Sequence, residues 1–381
     1  MSGLSVLLVG DYAPDPTLGS PKVFYQLRAE LHALGHRCDV VFGDEIRAPT
    51  SRQLRQLAAP LGARAAMARH FSRAAYDVVD AASAEGLWFG VGKRFGRKRR
   101  TAYVCRSNGL EHLNYQRMLE DAREGLAPKP WTRRLWYPLS RLSQVAAAAK
   151  IADRLLLLNG ADRDFALAHR WQPADRIDVV AHGVSRTMLE DDPATDLPRG
   201  RGLLFCGTWD HMKGIHYLVE AYEQLCSSES RRLTILGPGV PASDVLAMFS
   251  DRARARVRVV PRAPEADVLT AYREHDALLF TSTYEGFGLV LLEAMTQRLP
   301  VIATPAGCGS DLVSDGVTGL RVPMRDAAAI ASAVRRLMSD TALARRLAAA
   351  ARDRVSGMSW RATAERTVDV YQKAIAASRA S

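Results

Sequence analysis

Short uninterrupted apolar runs alternate along this chain with stretches in which apolar residues recur every three or four positions. That is the rhythm of buried parallel strands joined by amphipathic helices. "LSVLLVG" (Leu4 to Gly10) reads as a strand, and "DYAPDPTLGSP" as a loop rich in Pro and Gly. Ser20 is placed as the N-cap and Pro21 as the first position of a helix whose stripe is Val23, Phe24, Leu27, Leu31 and Leu34. Gly35 ends that helix before the strand "CDVVF". The rhythm continues through "YDVVDA", "TAYVCRSNG", "ADRLLLLNG" and "RIDVVAHGV". "RTMLEDDPATDLPRGRG" then breaks it, polar and without apolar period, and a second series follows: "GLLFCGTW", "RLTILGPG", "VRVVPRAP", "ALLFTST" and "PVIATPAG". The reading is an α/β chain with a doubly wound domain at 1–185, a linker at 186–202, a second such domain at 203–358 and an amphipathic helix at 359–381. Open sheets bind ligands at the carboxyl ends of their strands, so two joined by a linker predict a central cleft.

Composition changes this picture little, with 48% hydrophobic and 24% charged residues, but the charge is uneven. The formal net charge is +11, and residues 51–150 hold 19 Lys or Arg against 7 Asp or Glu. "KRFGRKRR" and "KPWTRRLWYPLSRL" interleave basic residues with Trp131, Trp136 and Tyr137. Residues 93–142 therefore suit an anionic membrane surface, and equally a solvated basic face over an aromatic core. Zinc-finger spacing, RNP-like aromatics and a basic zipper are all missing, which argues against nucleic acid. Five scattered cysteines without a C-x-x-C pair favour a reducing cytoplasm over a disulfide framework or zinc site. "MSGLSVLLVGDY" has neither basic leader nor cleavage site, and no apolar run reaches the roughly 18 residues of a membrane span. The expected location is cytoplasmic, extending to the inner face of the cytoplasmic membrane.

The chemistry concentrates in "STYEGFGLVLLEAM". Glu285 and Glu293 are eight residues apart, which on one continuous helix would separate them by ~12 Å and about 80°. A close acid/base pair is excluded. The string instead follows an apolar strand, so Glu285 belongs to a loop and Glu293 to the next helix. Gly286 and Gly288 let backbone approach a ligand, and the first amides of the helix favour an anion. This is a diphosphate cradle flanked by carboxylates that accept from hydroxyls.

The whole string resembles the E-x7-E signature of retaining glycosyltransferases of family 4, and the resemblance covers nearly the whole chain. "PVIATPAGCGSDLVSDGVTGLRVP" is similar to the segment that follows the signature, "LLFCGTWDHMKGIHYLVEAY" to the family's donor motif and "GHRCDVVF" to its early strand. The resemblance implies a GT-B fold: two Rossmann-like doubly wound parallel-sheet domains facing a central cleft. It implies Glu285 on the transferred sugar, Glu293 on the ribose of a nucleoside diphosphate sugar, and the amides of Gly286, Phe287, Gly288, Leu289 and Val290 around the phosphates. Gly207, Thr208 and Lys213 match the donor motif, with Thr208 where the family usually has an arginine, so Lys213 carries more of the neutralisation. Gly19 and Ser20 resemble the loop facing acceptor and donor phosphate. Asn108 stands where the family commonly has a histidine, with Glu111 and His112 just downstream; His112 either swings in or caps the following helix. Asp162 and Asp164 form an Asp-x-Asp pair at a helix start, where the dipole alone favours acids, so no metal is assigned and no cofactor beyond the sugar donor.

The implied activity is metal-independent, retaining transfer to a glycan or lipid-linked acceptor held by the first domain. A soluble small-molecule acceptor stays open. So does a silent nucleotide- or glycan-binding scaffold, with an epimerase or phosphorylase of the same fold behind it.

Overall fold

A computed structural model describes residues 3–16, 19–95, 100–126, 131–191, 193, 199–227 and 231–380. The chain divides into two compact units. The first comprises Met1–Leu113, Lys129–His182 and Trp360–Ser381, and the second Asn114–Pro128 and Gly183–Ser359.

The first unit is a six-stranded parallel sheet of β1 (Ser5–Val9), β2 (Arg37–Val41), β3 (Val78–Ala82), β4 (Ala102–Arg106), β5 (Arg154–Leu157) and β6 (Ile177–Val179). The spatial order β2-β1-β3-β4-β5-β6 reverses direction between β1 and β3. Leu7, Val9, Val79, Tyr103 and Leu155 build its core with helix residues such as Ala63 and Met67. The helix Gly19–Ala33 buries Val23, Phe24, Leu27 and Leu31, the expected stripe. It ends as expected at Gly35, whose φ of 83° is followed by bonds from the Gly35 amide to the His32 carbonyl and from the His36 amide to the Leu31 carbonyl. Its start differs: Gly19 is already helical, so Ser20 lies inside the first turn and is no N-cap.

The second unit holds β7 (Leu203–Cys206), β8 (Leu233–Leu236), β9 (Val257–Val260), β10 (Ala277–Phe280), β11 (Val301–Ala303) and β12 (Leu320–Arg321), ordered β12-β11-β10-β7-β8-β9. Here the reversal lies between β10 and β7. β12 is too short for its periodicity to be read from sequence. The stretch read as a linker opens with a helix, Arg186–Glu190, whose first turn is capped when the Ser185 hydroxyl accepts from the Met188 amide. Residues 192 and 194–198 of that stretch lie outside the described residues.

Two placements follow from charge pairing rather than from pattern. Residues 114–128 group with the second unit because Arg325 reaches Asp121 at 2.8 Å, Glu124 at 3.0 Å and Glu120 at 3.2 Å. The helix Trp360–Ala380 groups with the first unit and packs on β4 and on the helix Gly19–Ala33. Its Tyr371 hydroxyl donates to Asp80 at 2.6 Å, and Asp80 accepts a three-bond fork from Arg106; all three side chains are buried. Among the described residues no helix is long and apolar enough to cross a membrane.

Removing one member of a buried ion pair strands the other, at a cost of about 3–5 kcal/mol. Arg106→Met should lower stability by that order in urea unfolding, and Tyr371→Phe by about 1–3 kcal/mol for a lost bond to a charge. The exposed pair Arg37–Asp39 is the control, expected below about 1 kcal/mol. Acid adds a second test. Burial, and after it the Arg106 charge, pushes the His182 imidazole down to about 3, while the unfolded chain takes up that proton near 6.5. The unfolded state thus holds more protons between these values, and stability falls as pH drops through that window. The urea midpoint should fall between about pH 7 and about pH 5, less steeply in His182→Leu.

Candidate active site

The second sheet reverses between β7 and β10, and the loops after these two strands meet there. After β7, Gly207 takes φ 143° and the Thr208 hydroxyl donates to Asp210 at 2.8 Å. Asp210 in turn accepts from the Met212 amide at 2.9 Å, capping the short turn His211–Lys213. Gly214 closes the turn at φ 67°, where an added Cβ would sit 2.0 Å from the Thr281 carbonyl oxygen. Only glycine fits that approach. The turn is fastened to the loop after β10 by four bonds: Thr281 hydroxyl to Lys213 carbonyl, and the Thr283 amide, Thr283 hydroxyl and Tyr284 amide to Met212 carbonyl.

This fastening aims Lys213 at Glu285. The ammonium donates to Glu285 Oε1 at 2.7 Å, and the Ser282 hydroxyl donates to the same oxygen at 2.8 Å. The lysine side chain is 25% exposed and the glutamate 11%, so the pair borders solvent without being flooded by it. A third loop, after β11, supports the carboxylate from behind. Gly307 takes φ 54°, and a Cβ there would lie 2.4 Å from the Phe287 carbonyl oxygen and 2.7 Å from Glu285 Cβ. The Cys308 amide donates to that same Phe287 carbonyl at 2.6 Å.

Gly288, at φ 98°, is the N-cap of the helix Leu289–Thr296. The opening amides of a helix have no partner within it and carry partial positive charge. Phe287 is buried, while Leu289 and Val290 are half-buried. Glu293, one turn into the helix, accepts from the Tyr272 hydroxyl at 3.0 Å, and Tyr272 is fully buried. Cys206, at the end of β7, is a poor nucleophile: burial, then the nearby Glu293, pushes its thiol up to about 12. The arrangement therefore offers a cation, helix amides and two braced carboxylates to one anionic, hydroxylated ligand. A cavity of about 340 Å³ in this unit is lined by Asp276 and Pro300, which precede β10 and β11. It opens at the opposite ends of the strands.

In the first unit the Asn108 amide donates to the Tyr12 hydroxyl at 3.0 Å, and its Oδ1 is buried without a partner among the described residues. His112 packs edge-on to Trp171, with ring centroids 4.8 Å apart, and against Phe165. Burial pushes it down to about 4, so it is a neutral packing group rather than a cap or a poised base. Gly19 is exposed with open space around it, and Ser20 is half-buried. Asp162 sits in a first helical turn capped by Asn159, and Asp164 pairs with Arg163. No cluster of three or more metal-ligating side chains occurs among the described residues.

The expected basic strip is thinner than its sequence implies. Arg141 is engaged with Glu85 and Glu111, and Lys93 with Asp153. Residues 96–99 and 127–130 lie outside the described residues. Sequence reasoning missed Tyr272, which no motif marks, and Ser282, which opens the quoted string but carries no signal of its own. It also missed Asp11, Tyr12, Arg55, Glu85 and Arg141, which line a cavity of about 300 Å³ in the first unit.

Residues 194–354 match the family described as Glycosyl transferases group 1. A D-inositol 3-phosphate glycosyltransferase of Frankia alni is 35% identical over 219 residues, 53% of this chain and 54% of that protein. The chain spans about half the length of the curated relatives it matches. In fold it is similar to sucrose-phosphate synthase from Thermosynechococcus elongatus, at 20% identity and a TM-score of 0.74 over 98% of this chain and 100% of that one. It is likewise similar to Anabaena HepE in complex with UDP, at 17% identity and a TM-score of 0.68 over 96% and 99%. Two parallel six-stranded sheets of this kind have the GT-B architecture, and the match to the glycosyl transferases group 1 family spans residues 194–354, which carry all three loops around Glu285.

Proposed function

We propose that this chain transfers a glycosyl group from a nucleoside diphosphate sugar to a hydroxylated acceptor, with retention at the anomeric carbon and without a metal ion. The observation that carries this reading is the Lys213–Glu285 pair, held at the switch point of the second sheet beside the N-terminus of the helix Leu289–Thr296. In this proposal the donor diphosphate lies against the amides of residues 286–290. Lys213 exchanges part of its bond to Glu285 for the leaving phosphate, where a fixed positive charge lowers the barrier as negative charge develops. Glu285 then accepts from hydroxyls of the transferred sugar. Glu293, oriented by Tyr272, accepts from the ribose hydroxyls. Retention is assigned by the family resemblance, with a phosphate oxygen taking the acceptor proton. Support for a nucleotide donor comes from HepE, which is similar in fold and crystallised with UDP.

The acceptor is assigned to the first unit and, by a separate observation, to a membrane surface. Among the described residues, Leu54, Leu57 and Leu61 on the helix Arg52–Phe71 are exposed, as are Leu135, Trp136 and Leu139. The two groups adjoin, since Gln144 bonds the Leu57 carbonyl and the helix packs on the turn Pro138–Leu142. Arg64 continues the leucine stripe at helical spacing and is exposed. An apolar patch edged by positive charge suits the headgroup region of an anionic bilayer. A soluble acceptor is the competing reading; curated relatives are named for inositol 3-phosphate and for glycogen.

Four measurements test these assignments. A panel of nucleoside diphosphates and nucleotide sugars, screened by thermal shift without metal, should give one selective shift that Glu293→Ala abolishes. No shift with any of them, in folded protein, would favour a silent scaffold. Lys213→Ala should lower kcat by about 10²–10³ with a smaller change in donor affinity. Gly307→Ala should abolish donor binding by displacing Glu285, with the far-ultraviolet spectrum unchanged. For the surface, cosedimentation with anionic liposomes at low salt should fall in Leu57→Ser/Leu139→Ser; failure of the unmodified chain to sediment would return the acceptor to solution.

A further inference from the structure

The first sheet has its own switch point, between β1 and β3, and the cavity of about 300 Å³ opens there. Asp11 and Tyr12 follow β1, Ser83 and Glu85 follow β3, Arg55 comes from the helix Arg52–Phe71, and Glu111 and Arg141 complete the wall. Ser83 takes a left-handed φ of 49°, unusual for a residue other than glycine, directly beside this opening.

The charges in this wall are already matched to one another. Arg55 grips both oxygens of Asp11 and also reaches the Gly43 carbonyl at 3.3 Å. Arg141 donates to Glu111 through Nε and Nη2, and to Glu85 through Nη1 at 2.9 Å. Glu111 accepts a further bond from the Tyr137 hydroxyl at 2.7 Å. Three carboxylates thus face two guanidiniums, and both guanidiniums are bound on more than one side. A phosphate entering here would meet acceptor oxygens, and to find a donor it would have to part Arg141 from Glu85 and Glu111 in the interior or Arg55 from Asp11 at the partly exposed rim. Hydroxyl groups meet the reverse situation. Each carboxylate oxygen retains lone pairs that accept from O–H. Tyr12, kept protonated by burial and the neighbouring Glu85 charge, supplies an O–H, and the unpartnered Asn108 Oδ1 lies behind it.

We propose that this cavity takes an uncharged polyhydroxylated ring, the receiving end of the acceptor, and rejects a ring that bears a phosphate. The assignment rests on the glycosyl-transfer reading for its purpose, but ring binding needs no donor and is measured without one. Asp11 is the residue that makes the distinction adjustable: neutralising it leaves Arg55 with an unmatched charge at the cavity wall.

The test uses the full chain and saturation-transfer NMR with methyl glucoside, methyl galactoside, methyl mannoside and myo-inositol, each beside a phosphate monoester of the same ring. At least one neutral ring should bind, and its phosphate ester should bind at least about tenfold more weakly. Asp11→Asn should close that gap by about tenfold, with the thermal shift by nucleoside diphosphate unchanged as proof of folding. An ester that binds as tightly as its parent ring, or a chain that binds none of the neutral rings, overturns the proposal. Neutral-ring binding that persists where no nucleoside diphosphate binds supports the cavity's assignment and removes the glycosyl-transfer reading instead.

Discussion

Arg106 and Asp80 form an ion pair without access to water in the middle of the first sheet, and the arrangement of that unit depends on it. The pair joins adjacent strands, β3 and β4, and so fixes which residues emerge together at their carboxyl ends. Ser83 and Asn108 are two of these. Charges so buried are tolerated only when they are paired and hydrogen-bonded, and here Asp80 takes a further bond from Tyr371, from the other end of the chain. The C-terminal helix is therefore held by its apolar face and by a bond whose loss would leave Asp80 short of a donor. A hydrophobic contact alone would tolerate a slide along the sheet; this one does not.

The Lys213–Glu285 pair is built on the opposite principle. It is short but partly exposed, so exchanging the carboxylate for another anion costs far less than breaking the Arg106 pair. Rigidity is supplied around it instead, by backbone. Gly214 and Gly307 allow main chain to pass where no side chain fits, and the carbonyls of Met212, Lys213 and Phe287 each accept from a neighbouring loop. A fixed frame around an exchangeable pair is the condition for placing charge where it develops during reaction, without first reorganising the protein.

Much of this was legible in the sequence because apolar runs and glycines obey local rules. The strands of both sheets other than β12, the stripe from Val23 to Leu31 and the strand-to-helix position of Glu285 and Glu293 all follow from periodicity and punctuation. What escaped depends on partners distant in the chain. Arg141 belongs by composition to a basic run, yet Glu85, 56 residues away, and Glu111 take it into the interior. Residues 114–128 read as part of the first domain, and only Arg325 shows why they group with the second unit. His112 had the chemistry of a base but is enclosed by Trp171 and Phe165, and no local signal distinguishes the two situations. Ser20 failed as a cap for a smaller reason: helix ends are set within a residue or two by bonds that spacing does not specify.

The two sheets share a topology and differ in what their switch points hold. Each reverses strand order once and each opens at the carboxyl ends of the strands on either side of the reversal. In the second, the loops deliver helix amides and a lysine whose pair with Glu285 borders solvent. In the first, they deliver guanidiniums already matched by carboxylates, with negative character in excess. In the proposed reading a diphosphate is therefore drawn to the second unit and not to the first, although the folds would position it equally well in both. Where a ligand sits follows from the strand order; which ligand it is follows from how readily the arginines and lysines of the loops are released from their partners when it arrives.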